Sequence, residues 1–138
     1  MAKLMRGRPT EPAWLPLTTT CRLQVRLFDP VAEHAAWMAH LDARRQNPAD
    51  VVAASWAEKM ALAQRVIVGW EGILDEAGQP APCTPENVRR LLEDGIDEVA
   101  ISVLDLFYVM YLAERDRWRA EGNGSAASPA GNGGEAAV

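Results

Sequence analysis

Residues 99–113 read VAISVLDLFYVMYLA, a run that is apolar at almost every step and broken only by Ser102 and Asp105. Wound as a helix it leaves no polar stripe, so it has to be covered on every face. It is too short and too interrupted for a bilayer span, which needs about 20 apolar residues. The fold must therefore be built around this segment. Because only two other sizeable helices are in prospect, part of its surface is expected to meet a partner or another copy of the chain. Charge order supports one long helix over 96–119: Asp97 and Glu98 open it, and Arg115, Arg117 and Arg119 close it, as a helix dipole prefers.

The rest of the 138 residues supplies the cover. Asp29 followed by Pro30 reads as an N-cap and a first-turn proline. Ala35, Met38 and Leu41, with Val31 and His34 at the margin, form the stripe of a first helix that ends near Gln46. Asn47 and Pro48 restart a second helix through about Gly69, with Val52, Trp56, Met60 or Lys59, Ala63, Ile67 and Trp70 at helical spacing. A short helix over 85–94 follows, and Gly95 separates it from the long one. Upstream, the prolines of residues 4–17 dictate an extended arm, from which Trp14, Leu15 and Leu17 can latch onto a neighbouring surface. Cys21, Leu23, Val25 and Leu27 alternate with Arg22, Gln24 and Arg26, the period of a half-buried strand. One strand cannot stand alone; it pairs with the arm, lies on the helices, or borrows a strand from another chain. From Glu121 the chain reads EGNGSAASPAGNGGEAAV, without one large apolar residue, and is expected to be disordered. The expected class is mainly α. It comprises an extended arm over 1–17 and one small helical domain over 18–120, with about four helices and one short β-strand or hairpin. A disordered tail over 121–138 completes it.

The net charge is −5, and nine acids between Glu71 and Asp105 are set against only Arg89 and Arg90. That balance argues against a nucleic-acid partner, which needs clustered Lys and Arg. No apolar core follows the basic start MAKLMRGRP, so no signal peptide is expected, and Cys21 and Cys83 are expected to be reduced. His34 and His40 stand six apart and do not share a helix face, and no HExxH or CxxC pattern exists; no metal and no cofactor are expected. Cys83 has no histidine near it in sequence, and Ser55 and Ser102 fall inside predicted helices without a nucleophile elbow. The adjacent carboxylates Glu93/Asp94 and Asp97/Glu98 point apart on a helix. No catalytic residue is nominated, and the chain is not expected to be an enzyme.

The crowded stretch over 69–88, GWEGILDEAGQPAPCTPENV, reads as a joint between helices. Gly69 and Gly72 suit the positive φ that ends a helix. DEAG, residues 75–78, has the composition of a turn, and Pro80 and Pro82 hold the chain extended. Thr84 caps the next helix with Pro85 in first position, and Cys83 is placed to pack on Val88 as a hydrophobic staple. A phosphate cradle is excluded, since the P-loop lysine is missing and the local acids repel an anion.

Residues 66–94, VIVGWEGILDEAGQPAPCTPENVRRLLED, resemble the tail assembly chaperones of long-tailed bacteriophages and prophages. Trp70, Gly72, Asp75, Gly78, Pro80, Thr84, Glu86 and Leu91 occupy that family's places, and the likeness extends over 66–112. The resemblance implies a mostly helical, non-enzymatic protein of the host bacterial cytoplasm. It would bind the tape measure protein, keep it soluble, present it to the tail tube protein and stay out of the finished virion. On this reading Trp70, Phe107, Tyr108, Met110 and Tyr111 bind the partner, since aromatics and Met adapt to varied surfaces; the competing reading of each is the domain's own core. The alternative function is a virion structural or head–tail connector protein, whose apolar helix packs in a homo-oligomeric ring. No membrane and no nucleic acid are expected as partners.

Overall fold

The alternation of Cys21, Leu23, Val25 and Leu27 does build a strand, and it lies at the centre of a sheet. The computed structural model describes residues 1–4, 7, 9 and 11–127, with side chains up to residue 121. Among them β1 (Ala13–Pro16), β2 (Arg22–Val25) and β3 (Ile67–Glu71) form one antiparallel sheet in the order β1-β2-β3. The four alternating apolar residues are buried, whereas Arg22 and Arg26 face solvent. β1 lies inside the arm, so the strand pairs within its own chain. Opposite Arg22 stands Glu71, whose Oε1 accepts its Nε–H at 2.9 Å, and the Arg22 guanidinium lies 3.8 Å over the Trp14 ring.

The helices follow their local signals closely where those are strong. α1 (Pro30–Gln46) starts at Asp29, whose Oδ1 accepts the N–H groups of Val31 and Ala32 at 3.1 Å. α3 (Pro85–Asp94) starts at Thr84, whose Oγ1 accepts the Asn87 N–H at 3.2 Å, and it ends at Gly95 with φ +82°. Four boundaries differ from expectation. α2 (Val51–Val66) is capped by Asp50 rather than by Asn47 and Pro48, and it stops before Gly69. There the β-branched run Val66, Ile67, Val68 turns into β3, because Ile67 pairs with Val25 and the Val66 carbonyl accepts the Arg26 N–H. Such residues pack well on a pleated surface, and the open side of β2 provides one.

α4 (Val103–Ala127) begins seven residues later than expected and runs past Arg119. Ser102 opens it: its carbonyl accepts the Leu106 N–H and its hydroxyl accepts the Asp105 N–H. Asp97 and Glu98 consequently precede the helix instead of lining its first turn. Glu98 is held by the Thr18 and Thr20 hydroxyls, which donate to its Oε1 at 3.2 and 2.8 Å. Arg115, Arg117 and Arg119 lie within the helix and not at its end. Arg115 and Arg119 flank the Phe28 ring, with guanidinium carbons 5.2 and 5.0 Å from its centroid, and Arg117 pairs with Glu114. The expected tail over 121–138 is helical as far as Ala127; residues 128–138 lie outside the described residues.

The core sits between the sheet and the helices α2, α3 and α4. Leu15, Leu23, Val25 and Ile67 of the sheet join Val66 of α2, Val88 and Leu91 of α3, and Val103, Leu104, Phe107 and Tyr111 of α4. Each large apolar side chain withdrawn from water in this way contributes about 1.5–3 kcal/mol. α1 packs mainly on α2, so these two helices form a hairpin on the flank of the core.

Candidate partner-binding surface

The connection over 69–88 is an ordered structure with its own hydrogen bonds. After β3 the chain turns at Gly72, φ +84°, where it crosses within van der Waals contact of the Thr20–Cys21 backbone. Ile73 enters the core, and its carbonyl accepts the Ala81 N–H at 2.9 Å. Between them Asp75 organises the turn: its carbonyl accepts the Gly78 N–H, and its Oδ1 accepts the N–H groups of Ala77 and Gln79. Leu74 and Pro80 form a single antiparallel bridge. The joint is therefore a miniature hairpin pinned at Ile73. Gly69 is the exception to the expected roles, because it lies in β3 opposite Gln24.

The five nominated partner residues separate into two groups. Phe107 and Tyr111 are fully buried, with rings stacked at 5.6 Å, and they belong to the core; a partner cannot reach them in this fold. Burial raises the pKa of the Tyr111 hydroxyl, and the Arg115 guanidinium partly offsets this. Trp70 is half-buried, and its Nε1–H donates to the Ala81 carbonyl at 2.8 Å, so it ties β3 to the joint. Tyr108 and Met110 are half-buried at the edge of the core, and the Lys59 ammonium lies 5.2 Å from the Tyr108 ring centroid. Cys83 is likewise half-buried against the core that holds Val88, and desolvation raises its pKa.

Several large apolar side chains on the helices stand exposed, and three of them, Met38, Val52 and Trp56, belong to the stripes expected to face the core. Val52 is 77% exposed, Trp37 52%, Trp56 46% and Val109 66%. Met38 and Leu112 are also exposed. On α1 the buried residues are alanines, Ala32 and Ala36, which leaves the bulkier Trp37 and Met38 on the outer face, and α2 buries Ala54 and Ala63 together with Met60, Leu62 and Val66. The signal was present as alanines at 32, 36, 39 and 43, the spacing of one helix face. The Trp37 ring stacks on His40 at 5.3 Å, and His40 Nδ1 lies 3.0 Å from Glu58 Oε1.

Chemically, these elements offer apolar contact area. Among the described residues no group of three His, Cys, Asp or Glu side chains is placed to hold a metal ion, and no helix is long and apolar enough to cross a membrane. Comparison with known proteins gives one family. The model of the YdaY prophage protein family matches residues 30–106, more than half of the chain, from α1 through the hairpin, β3, the joint and α3 into the first turn of α4. No curated protein and no solved structure matches. On the strength of that match, the chain belongs to the YdaY prophage protein family.

Proposed function

We propose that the chain is a non-enzymatic tail assembly chaperone. It binds the tape measure protein in the host bacterial cytoplasm and keeps it soluble until the tail tube protein assembles around it. The observation that carries this reading is the set of large apolar side chains left uncovered on the helices, Trp37, Val52, Trp56, Val109 and Leu112. Contiguous exposed apolar groups mark interaction surfaces; Val52 and Trp56 lie one turn apart on α2, as do Val109 and Leu112 on α4, and Trp is prominent among the residues that dominate binding energy. Net charge of −5 would keep a complex with an apolar client dissolved. Membership of a prophage family supplies the setting, and the likeness of residues 66–112 to tail assembly chaperones supplies the client.

Co-expression tests the reading. The tape measure protein of the same prophage is produced alone, with the intact chain, and with Trp37→Ser or Trp56→Ser chains. Soluble client is expected to rise with the intact chain and to fall back with each variant. Equal client solubility with and without the chain overturns the proposal. Mature particles provide a second readout: a chaperone is absent from them, whereas recovery of the chain in virions favours the connector alternative.

A further inference from the structure

A cleft of about 840 Å³ opens between the joint, the C-terminal end of α3 and the segment that leads to α4. Its floor is apolar, made by Ile73, Leu91 and Ile96, and Leu74 stands exposed at its lip. Its rim is acidic, with Asp75, Glu76, Asp94, Asp97 and Glu98 set against the single cation Arg90. Arg90 is already engaged, 3.3 Å from Glu76. Asp94 and Asp97 are exposed and have no cation partner among the described residues. Asp94 also occupies the last turn of α3, where the negative end of the helix dipole adds to its charge. The cleft thus presents uncompensated negative charge above an apolar floor, and its complement is an extended segment that mixes basic and apolar side chains.

The chain itself contains one such segment. Residues 1–10 read MAKLMRGRPT, with Lys3, Arg6 and Arg8 beside Met1, Leu4 and Met5. Met1 and Leu4 stand wholly exposed, and Lys3 has no acidic partner among the described residues. The point where this segment joins the sheet is remote from its own cleft. β1 enters the sheet at Ala13, which pairs with Val25. The cleft lies at the other end, where Pro16 pairs with Arg22, and Arg22 with Glu71, next to Gly72. Ten residues reach roughly 33 Å when extended, ample to cross to a neighbouring molecule.

We propose that residues 1–10 dock in the acidic cleft of a second copy of this chain. Leu4 and Met5 meet the floor, and Lys3, Arg6 and Arg8 meet the rim at Asp94 and Asp97. Arm and cleft are different surfaces, so each copy donates an arm and receives one: two copies close into a dimer by reciprocal exchange, or several pass arms around a ring.

Sedimentation velocity on a dilution series, in low and in high salt, tests this. The intact chain is expected to self-associate into a dimer or larger assembly, about tenfold more weakly in high salt, because a few solvent-exposed ion pairs together account for about that factor. Deletion of residues 1–10 removes nothing from β1, and Asp94→Lys with Asp97→Lys changes only exposed groups. Either change is expected to leave a folded monomer by circular dichroism. Mixing the two variants restores a one-to-one complex, because one still has the cleft and the other still has the arm. A monomeric intact chain at high concentration and low salt overturns the proposal. So does self-association that survives deletion of the arm, or a mixture of variants that stays monomeric. Each readout is independent of any tape measure client, so its failure leaves the chaperone reading untouched.

Discussion

Gly72 is the residue whose replacement the structure evaluates most sharply. Its φ of +84° is a conformation that L side chains rarely adopt, and a Cβ built there would lie 2.1 Å from the Thr20 carbonyl oxygen and 2.9 Å from the Cys21 Cα. Those atoms are backbone and cannot swing aside as a side-chain end would. Gly72→Ala therefore carries about 1–2 kcal/mol of left-handed backbone strain and a further 1–3 kcal/mol, roughly, for forced displacement of packed neighbours. A loss of about 3 kcal/mol is a large share of the 5–15 kcal/mol, roughly, that holds a domain folded. For a chain of this size it corresponds to a fall of about 10 °C in Tm. Gly78→Ala is the matched control: φ there is +79°, yet nothing lies within 4 Å of the added Cβ. It should cost only the strain, about 1 kcal/mol. Gly69→Ala completes the series, since its Cβ would meet the Gln24 Oε1 at 2.7 Å, the free end of a side chain that can rotate away. Urea titration and thermal melting followed by circular dichroism give all three values. If Gly72→Ala proves no more destabilising than Gly78→Ala, the close approach of the joint to β2 is wrong.

Other residues give narrower tests. Thr84→Ala removes the side-chain cap of α3 and is expected to cost about 1 kcal/mol in urea unfolding, while Thr84→Ser stays near wild type. Trp70→Phe deletes the donor to the Ala81 carbonyl; a loss of about 1 kcal/mol is expected, with faster amide exchange at the Ala81 N–H, which closes the joint onto Ile73. Burial raises the Tyr111 pKa in the folded chain, so the folded state holds that proton more tightly than the unfolded state does. Its contribution is fully present below the unfolded value, near pH 10 by about, and is lost as pH rises through the folded value. Unfolding free energy measured across that alkaline range should fall for wild type and fall less for Tyr111→Phe.

Local chemistry alone determined much of this molecule. Asp29 with Pro30, and Thr84 with Pro85 and Gly95, set the bounds of α1 and α3 because capping and proline geometry act within one turn of chain. The Asp75–Gly78 turn is equally local, and the period-two burial of β2 could be read from its residues. What lay beyond local reach was every choice that depends on a distant neighbour. Val66, Ile67 and Val68 fit a helix face as well as a strand, and only the open edge of β2, some forty residues earlier by rough count, makes Ile67 extended. The start of α4 at Val103 depends on Ser102 as opener and on Glu98 being held by Thr18 and Thr20. Burial was the least legible property. An apolar side chain at helical spacing announces a face but not what covers it. Tertiary packing placed Phe107 and Tyr111 inside, gave the buried face of α1 to Ala32 and Ala36, and left Trp37 and Trp56 out to solvent.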